Sequence, residues 1–565
     1  MTRPALVSFV LLTGAAALTI SAQTAVDSPV PNDTEIRTVL TQRIDQARQS
    51  VGIVVGVIEP KGKRIVAYGA LDQGDPRPLN GDTLYEIGSV TKVFTSLLLS
   101  GMVQRGEVAL TDPVAKYLPT SVKVPERGGR SITLQDLATH TSGLPRLPNN
   151  LLPKDPGNPY ADYTVEQLYE FLSGYTLTRD IGTQYEYSNL GGGLLGHVLA
   201  RRAGMDYEAL VRSRITGPLQ MKSTAITLTP ELKARLAAGH DPNLKRAANW
   251  DLPTLAGAGA LRSTANDMLA FLAANLGYSK TPLAPAMAAM LTLRRPTGTP
   301  DLEIALGWHI FTRFGNDIVW HNGGTGGYRS FIGYNPKTRA GVVVLSNAGT
   351  AAGVDDIGLH LLDSRYNLIA APKDHKEITA DPKSFDAYAG RYQLAPNFIV
   401  TITREGDHLF AQATGQGKFE IFPETARDFF YKVVDAQITF QTAGQGRATG
   451  LVLHQNGQDV PGQRIGDAPP VKEHKEIAVD SKVLDGYVGR YQLAPAFVLN
   501  ITREGDGLFA QATGQAKFEL FAEDPKNFFL KVVDAQITFE TDATGKATGL
   551  VLHQNGRDMP AKRME

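Results

Sequence analysis

A duplication in the last third of the chain narrows the fold more than any other feature. GRYQLAP at Gly390–Pro396 returns at Gly489–Pro495, and ATGLVLHQNG at Ala448–Gly457 returns at Ala547–Gly556. Both pairs are offset by 99 residues, so the copies align without insertions. Roughly two-thirds of positions match between His375–Ile465 and His474–Met564, as a tandem duplication requires. Each copy alternates apolar and polar residues in short runs (FIVTITRE, HLFAQATG, AQITFQT) separated by Gly, Asp and Asn. That pattern predicts strands joined by tight turns, and about ninety residues of such strands suit a small barrel that leaves no exposed edge. Repeats at 375–465 and 474–564 are expected, behind polar, proline-bearing linkers at 370–374 and 466–470. The aromatic residues of the first copy (Tyr392, Phe398, Phe410, Phe419, Phe429, Phe430) fall mostly at strand alternation, and core packing explains them better than a ligand site. His454 and His553 recur through duplication alone.

The region 32–367 is of another kind, mixing helical and strand patterns with many glycines. Ile36–Arg48 predicts a helix, and Val51–Ile58 with Arg64–Ala70 a strand pair. Leu306–Phe311, Asp317–Trp320, Ser330–Tyr334 and Ala340–Ser346 predict strands, and Val354–Leu362 a helix. Strands at both ends with helices between imply an α/β (α+β) domain. One antiparallel sheet would be built from both ends, beside a helical cluster.

Composition excludes several classes. Lys+Arg and Asp+Glu both total 57, and no basic run appears, so nothing draws in nucleic acid. There is no cysteine, which removes disulfides, thiolate nucleophiles and Cys-based zinc. The 11 histidines show no HExxH-like spacing, so no metal or cofactor is expected. Arg3, an apolar stretch Ala5–Ile20 and small residues at Ser21-Ala22 have the form of an export signal over 1–22. The apolar stretch is short for a membrane span, so an exported, periplasmic or secreted protein without stable membrane insertion is expected.

Three short motifs carry candidate chemistry. In YEIGSVTKVFTSLLLSG (Tyr85–Gly101), Val93, Phe94, Leu97, Leu98 and Met102 recur at helical spacing. If Ser89 opens that helix, Lys92 shares its face, and the Ser89 N–H is among the unpaired amides at a positive helix end. A lysine whose pKa is lowered can take the proton of a serine hydroxyl. Alone, such a tetrad reads more readily as a helix cap and a surface lysine. Tyr187-Ser-Asn189 precedes a glycine run, Gly191–Gly193, and an apolar helix. A phenol near positive charge can act as base or relay a proton, and Asn189 can hydrogen-bond Lys92 or a substrate amide. Third is Trp320-His-Asn-Gly-Gly-Thr-Gly-Gly-Tyr328, between two predicted strands. Its glycines permit close backbone approach, and the Gly324 N–H facing that of Ser89 would make an oxyanion hole. By itself it also reads as a hairpin turn.

In this order the motifs resemble those of the penicillin-recognising serine hydrolases: class C β-lactamases, D,D-peptidases, D-aminopeptidases and some esterases. Ser89-Val-Thr-Lys92, Tyr187-Ser-Asn189 and His321-Asn-Gly323 stand at the first, second and third motifs. Arg105–Pro119, Ile132–Pro145 and Gly257–Phe271 also resemble the class C branch. The resemblance implies acylation at Ser89, base and relay work shared by Lys92 and Tyr187, and orientation by Asn189. It further implies that His321 supports Tyr187 or contacts a substrate carboxylate, with an oxyanion hole from the amides of Ser89 and Gly324. The substrate would be a small molecule or short peptide, peptidoglycan-derived or a β-lactam, cleaved at an amide or ester bond. His321 replaces the lysine usual in class C enzymes, as in D-aminopeptidase-like and esterase-like members. Thr91 stands where serine is commoner, and Arg146-Leu147 where a glutamine is expected. The repeats resemble the lipocalin-like barrels of D-aminopeptidase-like enzymes, one loop of which leans over the active site. A catalytically silent binder of peptidoglycan fragments or penicillin is the alternative.

Overall fold

A computed structural model describes residues 28–564 except 370–374, 396–397, 415–416, 433–435, 444–445, 456–457, 469–474, 495–496, 513–516, 532–534 and 555–556. The expected export signal at 1–22 and the linker at 370–374 lie outside the described residues, as do 469–470 of the second linker.

The first architectural unit is built on an eight-stranded sheet. Its order is Gly62–Gly69, Gly52–Glu59, Ala340–Ser346, Arg329–Asn335, Ile318–Gly324, His309–Phe311, Leu302–Ile304 and Arg295–Pro296, with every neighbouring pair antiparallel. Both ends of the domain therefore meet side by side as the second and third strands, where Val54 pairs with Leu345 and Val55 with Val344. Gly52–Glu59 and Ala340–Ser346 are buried throughout, because the sheet is covered on both faces. Alternate residues divide between two cores. Ile53, Val55, Val57, Val342 and Val344 pack with Ile36, Leu40, Ile357 and Leu361 of the two end helices, Asp33–Thr41 and Asp355–Leu362. Val54, Ile58, Val343 and Leu345 face the helical cluster instead, with Phe94, Leu98, Leu269 and Leu272.

The Thr91–Gln104 helix is the spine of that cluster, buried continuously from Thr91 to Met102. Polar caps fix where the surrounding helices begin: Thr133, Thr164, Ser188 and Thr264 each accept a backbone N–H three residues on. The expected strand at Leu306–Phe311 is shorter, His309–Phe311. Gly307 takes a left-handed φ of 71°, and its amide turns away to the Ala138 carbonyl, which breaks the ladder.

Each repeat forms a closed antiparallel barrel of eight strands, Gly390–Ala395 through Gln458–Gly466 and Gly489–Ala494 through Arg557–Arg563. First and last strands pair in both, so neither barrel has an open edge. Tyr388 stacks on Phe440 at 4.4 Å, and Tyr487 on Phe539 at 4.2 Å. Tyr392, Phe429 and Phe430 are buried as expected, whereas Phe419 is 41% exposed. His454 and His553 each bridge an aspartate and a threonine of their own barrel. No helix among the described residues is long and apolar enough to cross a membrane.

Candidate active site

Ser89 enters the site from a short strand, Leu84–Glu86, through a 3-10 turn at Gly88–Val90 that runs into the Thr91–Gln104 helix. Gly88 holds a left-handed φ of 49°, and a Cβ there would lie 2.7 Å from the Gly324 amide nitrogen. Only glycine meets both demands. The backbone beside Ser89 thus presses against the end of the Ile318–Gly324 strand. Lys92 lies one turn along, its Nζ 3.0 Å from Ser89 Oγ.

Lys92 is 3% exposed, and its Nζ has two further partners: Asn189 Oδ1 at 2.9 Å and the Ala258 carbonyl at 2.7 Å. Burial, helped by the charge of Arg146, drives the pKa of this amine well down. A neutral amine has two N–H bonds and one lone pair. The Ala258 carbonyl and Asn189 Oδ1 can only accept, so they take the two N–H groups. The lone pair is left for the Ser89 hydroxyl proton, which is the arrangement a base requires.

Asn189 is the first residue of a helix, Asn189–Ala203, capped by Ser188. Ser188 Oγ accepts from Gly191 N and donates to the Pro145 carbonyl. The glycines behind it have a steric purpose. A Cβ on Gly192 would sit 2.9 Å from Lys92 Cε and 3.2 Å from its Cδ, so the lysine lies along a bare stretch of helix. Gly196 and Gly257 touch where this helix crosses Ala256–Gly259, the turn that carries the Ala258 carbonyl.

Tyr187 is half-buried and hydrogen-bonded to Ser89. Burial raises its pKa far above the ordinary phenol value, only partly offset by the Ser89 bond and Arg146, so it is a neutral donor. Lys92 Nζ stands 4.8 Å from its ring centroid, and the exposed Arg146 guanidinium 5.2 Å. Three buried histidines surround it, with ring centroids 4.6 Å (His140), 6.3 Å (His321) and 6.5 Å (His309) away. His140 Nδ1 accepts the Ser188 N–H. His309 contacts the Tyr185 hydroxyl through Nε2 at 3.0 Å. All three are held neutral by burial, His309 with its pKa down to about 4.

The third motif does contain a hairpin turn, but only its last four residues form it. His321, Asn322, Gly323 and Gly324 continue the strand, paired with Ile332, Phe331, Ser330 and Arg329, and the chain reverses only at Thr325–Tyr328. Neither Gly323 nor Gly324 has a positive φ; at Gly323 a Cβ would strike the Ile87 carbonyl, so close approach selects the glycine. Ser330 Oγ donates to that same carbonyl at 2.8 Å. His321 is fully buried, and its Nδ1–H donates to the Asn322 carbonyl, leaving a bare, unpartnered Nε2. Its ring centroid lies 6.3 Å from that of Tyr187. Asn322 Nδ2 donates to Asp355.

The structure therefore gathers Ser89, Lys92, Tyr187, Asn189, His321 and Gly324 around one locus. Sequence reasoning passed over His140, His309, Ala258 and the fit of Gly192 to Lys92. His140 lies within the quoted stretch Ile132–Pro145, and the run Gly191–Gly193 was the one signal that the lysine needed room.

Comparison with known proteins gives the family. Residues 39–364 match the beta-lactamase family model, and residues 374–464 and 473–563 match a domain of unknown function, DUF3471. The D-alanyl-D-alanine-carboxypeptidase/endopeptidase AmpH of Escherichia coli (strain K12) is 31% identical over 317 residues, 52% of this chain and 79% of AmpH. Penicillin-binding protein 4* of Bacillus subtilis (strain 168) is 25% identical over 417 residues, 70% of this chain and 90% of that one. A beta-lactamase/D-alanine carboxypeptidase from Yersinia pestis, solved with citrate, superposes with a TM-score of 0.52 at 27% identity, covering 60% of this chain and 100% of its own. With a match running over more than half its length, the chain belongs to the beta-lactamase family.

Proposed function

We propose that the protein is an exported serine hydrolase that opens an amide or ester bond through an acyl-enzyme at Ser89. Its substrates are small D-amino-acid peptides of peptidoglycan type, their esters, or β-lactams. The observation that carries this reading is the position of the Lys92 amine, held by Asn189 Oδ1 and the Ala258 carbonyl with Nζ 3.0 Å from Ser89 Oγ, where its neutral form can take the hydroxyl proton.

Ser89 Oγ attacks the carbonyl carbon as its proton passes to Lys92 Nζ. The carbonyl oxygen becomes an oxyanion, held by the backbone N–H groups of Ser89 and Gly324. Collapse re-forms the carbonyl and expels the leaving nitrogen or oxygen. Tyr187, a neutral phenol, gives that leaving atom its proton and regains one from Lys92. Asn189 keeps Lys92 aimed and offers its amide to the substrate, while His321 and Gly323 support the floor. Water, activated by the same pair, then releases the acyl group. The relatives named for D-alanyl-D-alanine carboxypeptidase activity support the peptide class.

Fluorophosphonate or fluorescent-penicillin labelling tests the assignment. The wild-type protein is expected to form a stoichiometric adduct and Ser89→Ala none. A wild-type protein that takes up neither probe would refute the enzyme and leave the silent-binder reading.

A further inference from the structure

A substrate carrying a carboxylate needs a fixed cation at its docking site, because removing the charge from water without a partner is costly. Few groups near Ser89 can provide one. Lys92 has every Nζ position occupied and is buried among groups that keep it neutral. His140, His309 and His321 are buried neutral rings. Arg329 lies beneath Gly324, but it commits Nε to the Thr350 carbonyl and Nη1 to the carbonyls of Thr325 and Tyr328.

Arg146 differs from all of these. Its side chain is exposed, and it pairs with no carboxylate among the described residues. It is not loosely placed. Its backbone carbonyl accepts the N–H groups of Asn189 and Leu190 at 3.0 and 3.2 Å, which ties it to the start of the helix bearing Asn189. Its guanidinium stands over the Tyr187 ring, Cζ 5.2 Å from the centroid, and a guanidinium so placed can still offer two N–H groups to a bidentate acceptor.

We infer that Arg146 is the residue that selects the substrate's carboxylate, receiving it at the rim of the cleft while Ser89 attacks inside. This deepens the proposed function and rests on it. Two sources share the chemistry: the C-terminal carboxylate of a peptide, and the ring carboxylate of a β-lactam.

The test is a selectivity ratio. Hydrolysis of an acyl-D-Ala-D-Ala peptide is compared with its C-terminal amide, and acylation by benzylpenicillin with its methyl ester. In Arg146→Gln the free-acid preference is expected to fall about 10- to 100-fold, the worth of one charge-assisted bond, mainly through KM. Arg146→Lys retains part of it. The peptide pair and the penicillin pair report separately which source uses the site. An unchanged ratio in Arg146→Gln, or an equal loss on acid and neutral forms, overturns the inference. If the wild-type protein forms no acyl-enzyme, the hydrolase reading fails on its own. Calorimetric binding of the same acid and amide peptides to Ser89→Ala and to Ser89→Ala/Arg146→Gln then decides: an acid preference present in the first and lost in the second sustains Arg146, and no preference in either rejects it.

Discussion

Adding one methyl group at Gly192 should disable the site without unfolding the protein. The new Cβ would fall 2.9 Å from Lys92 Cε and 3.2 Å from both Cγ and Cδ. Ordinary carbon contacts are about 3.5–4.0 Å, so the lysine chain must retreat by roughly 0.6–1.1 Å. A flexible exposed lysine would do so freely, but this one is fixed at Nζ by Ser89, Asn189 and the Ala258 carbonyl. A displacement of about 1 Å at a reacting group costs on the order of 100-fold in rate. Stability moves less: overpacking costs about 1–3 kcal/mol, and alanine regains about 1 kcal/mol over glycine within a helix. In Gly192→Ala, second-order acylation by nitrocefin or a fluorophosphonate should fall about 100-fold, with the melting point lowered only a few degrees. A folded variant acylating within about threefold of wild type would refute the idea that the glycine run exists to seat Lys92.

Two further outcomes follow from the same geometry. Because burial and Arg146 depress Lys92, the base form persists to pH values well below the ordinary lysine range. Acylation should therefore rise with pH through that lowered pKa, and Arg146→Gln, by removing a neighbouring positive charge, should shift the acidic limb to higher pH; an unmoved limb would show that burial alone sets it. For the barrels, each hydrophobic cluster stays within its own unit. A chain ending at Ile369 should keep the melting point of the first domain to within a few degrees. If a barrel also restricts substrate size, the turnover of long peptides relative to short ones will rise in that variant, and a constant ratio would refute such gating.

How far the sequence could be read depended on whether a residue's cause lay near it in the chain. The barrels were legible because the 99-residue repeat and the two-residue alternation are local patterns. Ser89 and Lys92 were legible because three residues along a helix is one face. The third motif was legible only in part: its turn lies at Thr325–Tyr328, while Gly323 and Gly324 belong to the strand, and the constraint on Gly323 is the Ile87 carbonyl from a segment more than two hundred residues away. His140, His309 and His321 meet around Tyr187 only after the sheet and helices have packed, and no spacing rule links them. Buried neutral histidines also leave no charge pattern by which they might have been noticed.

The position of positive charge is what sets this site apart. Burial lowers the pKa of Lys92 and raises that of Tyr187, opposite shifts that both favour the neutral form. A permanent cation at residue 321 would be fully enclosed, a costly arrangement that the neutral imidazole avoids. Asp355 is already engaged by Asn322. Charge therefore moves to the rim, where Arg146 covers the outer side of the Tyr187 ring and water can stabilise it between substrates. On the proposed function, the proton passes through an interior of low dielectric, and Arg146 keeps on the exposed side the charge that distinguishes one substrate from another.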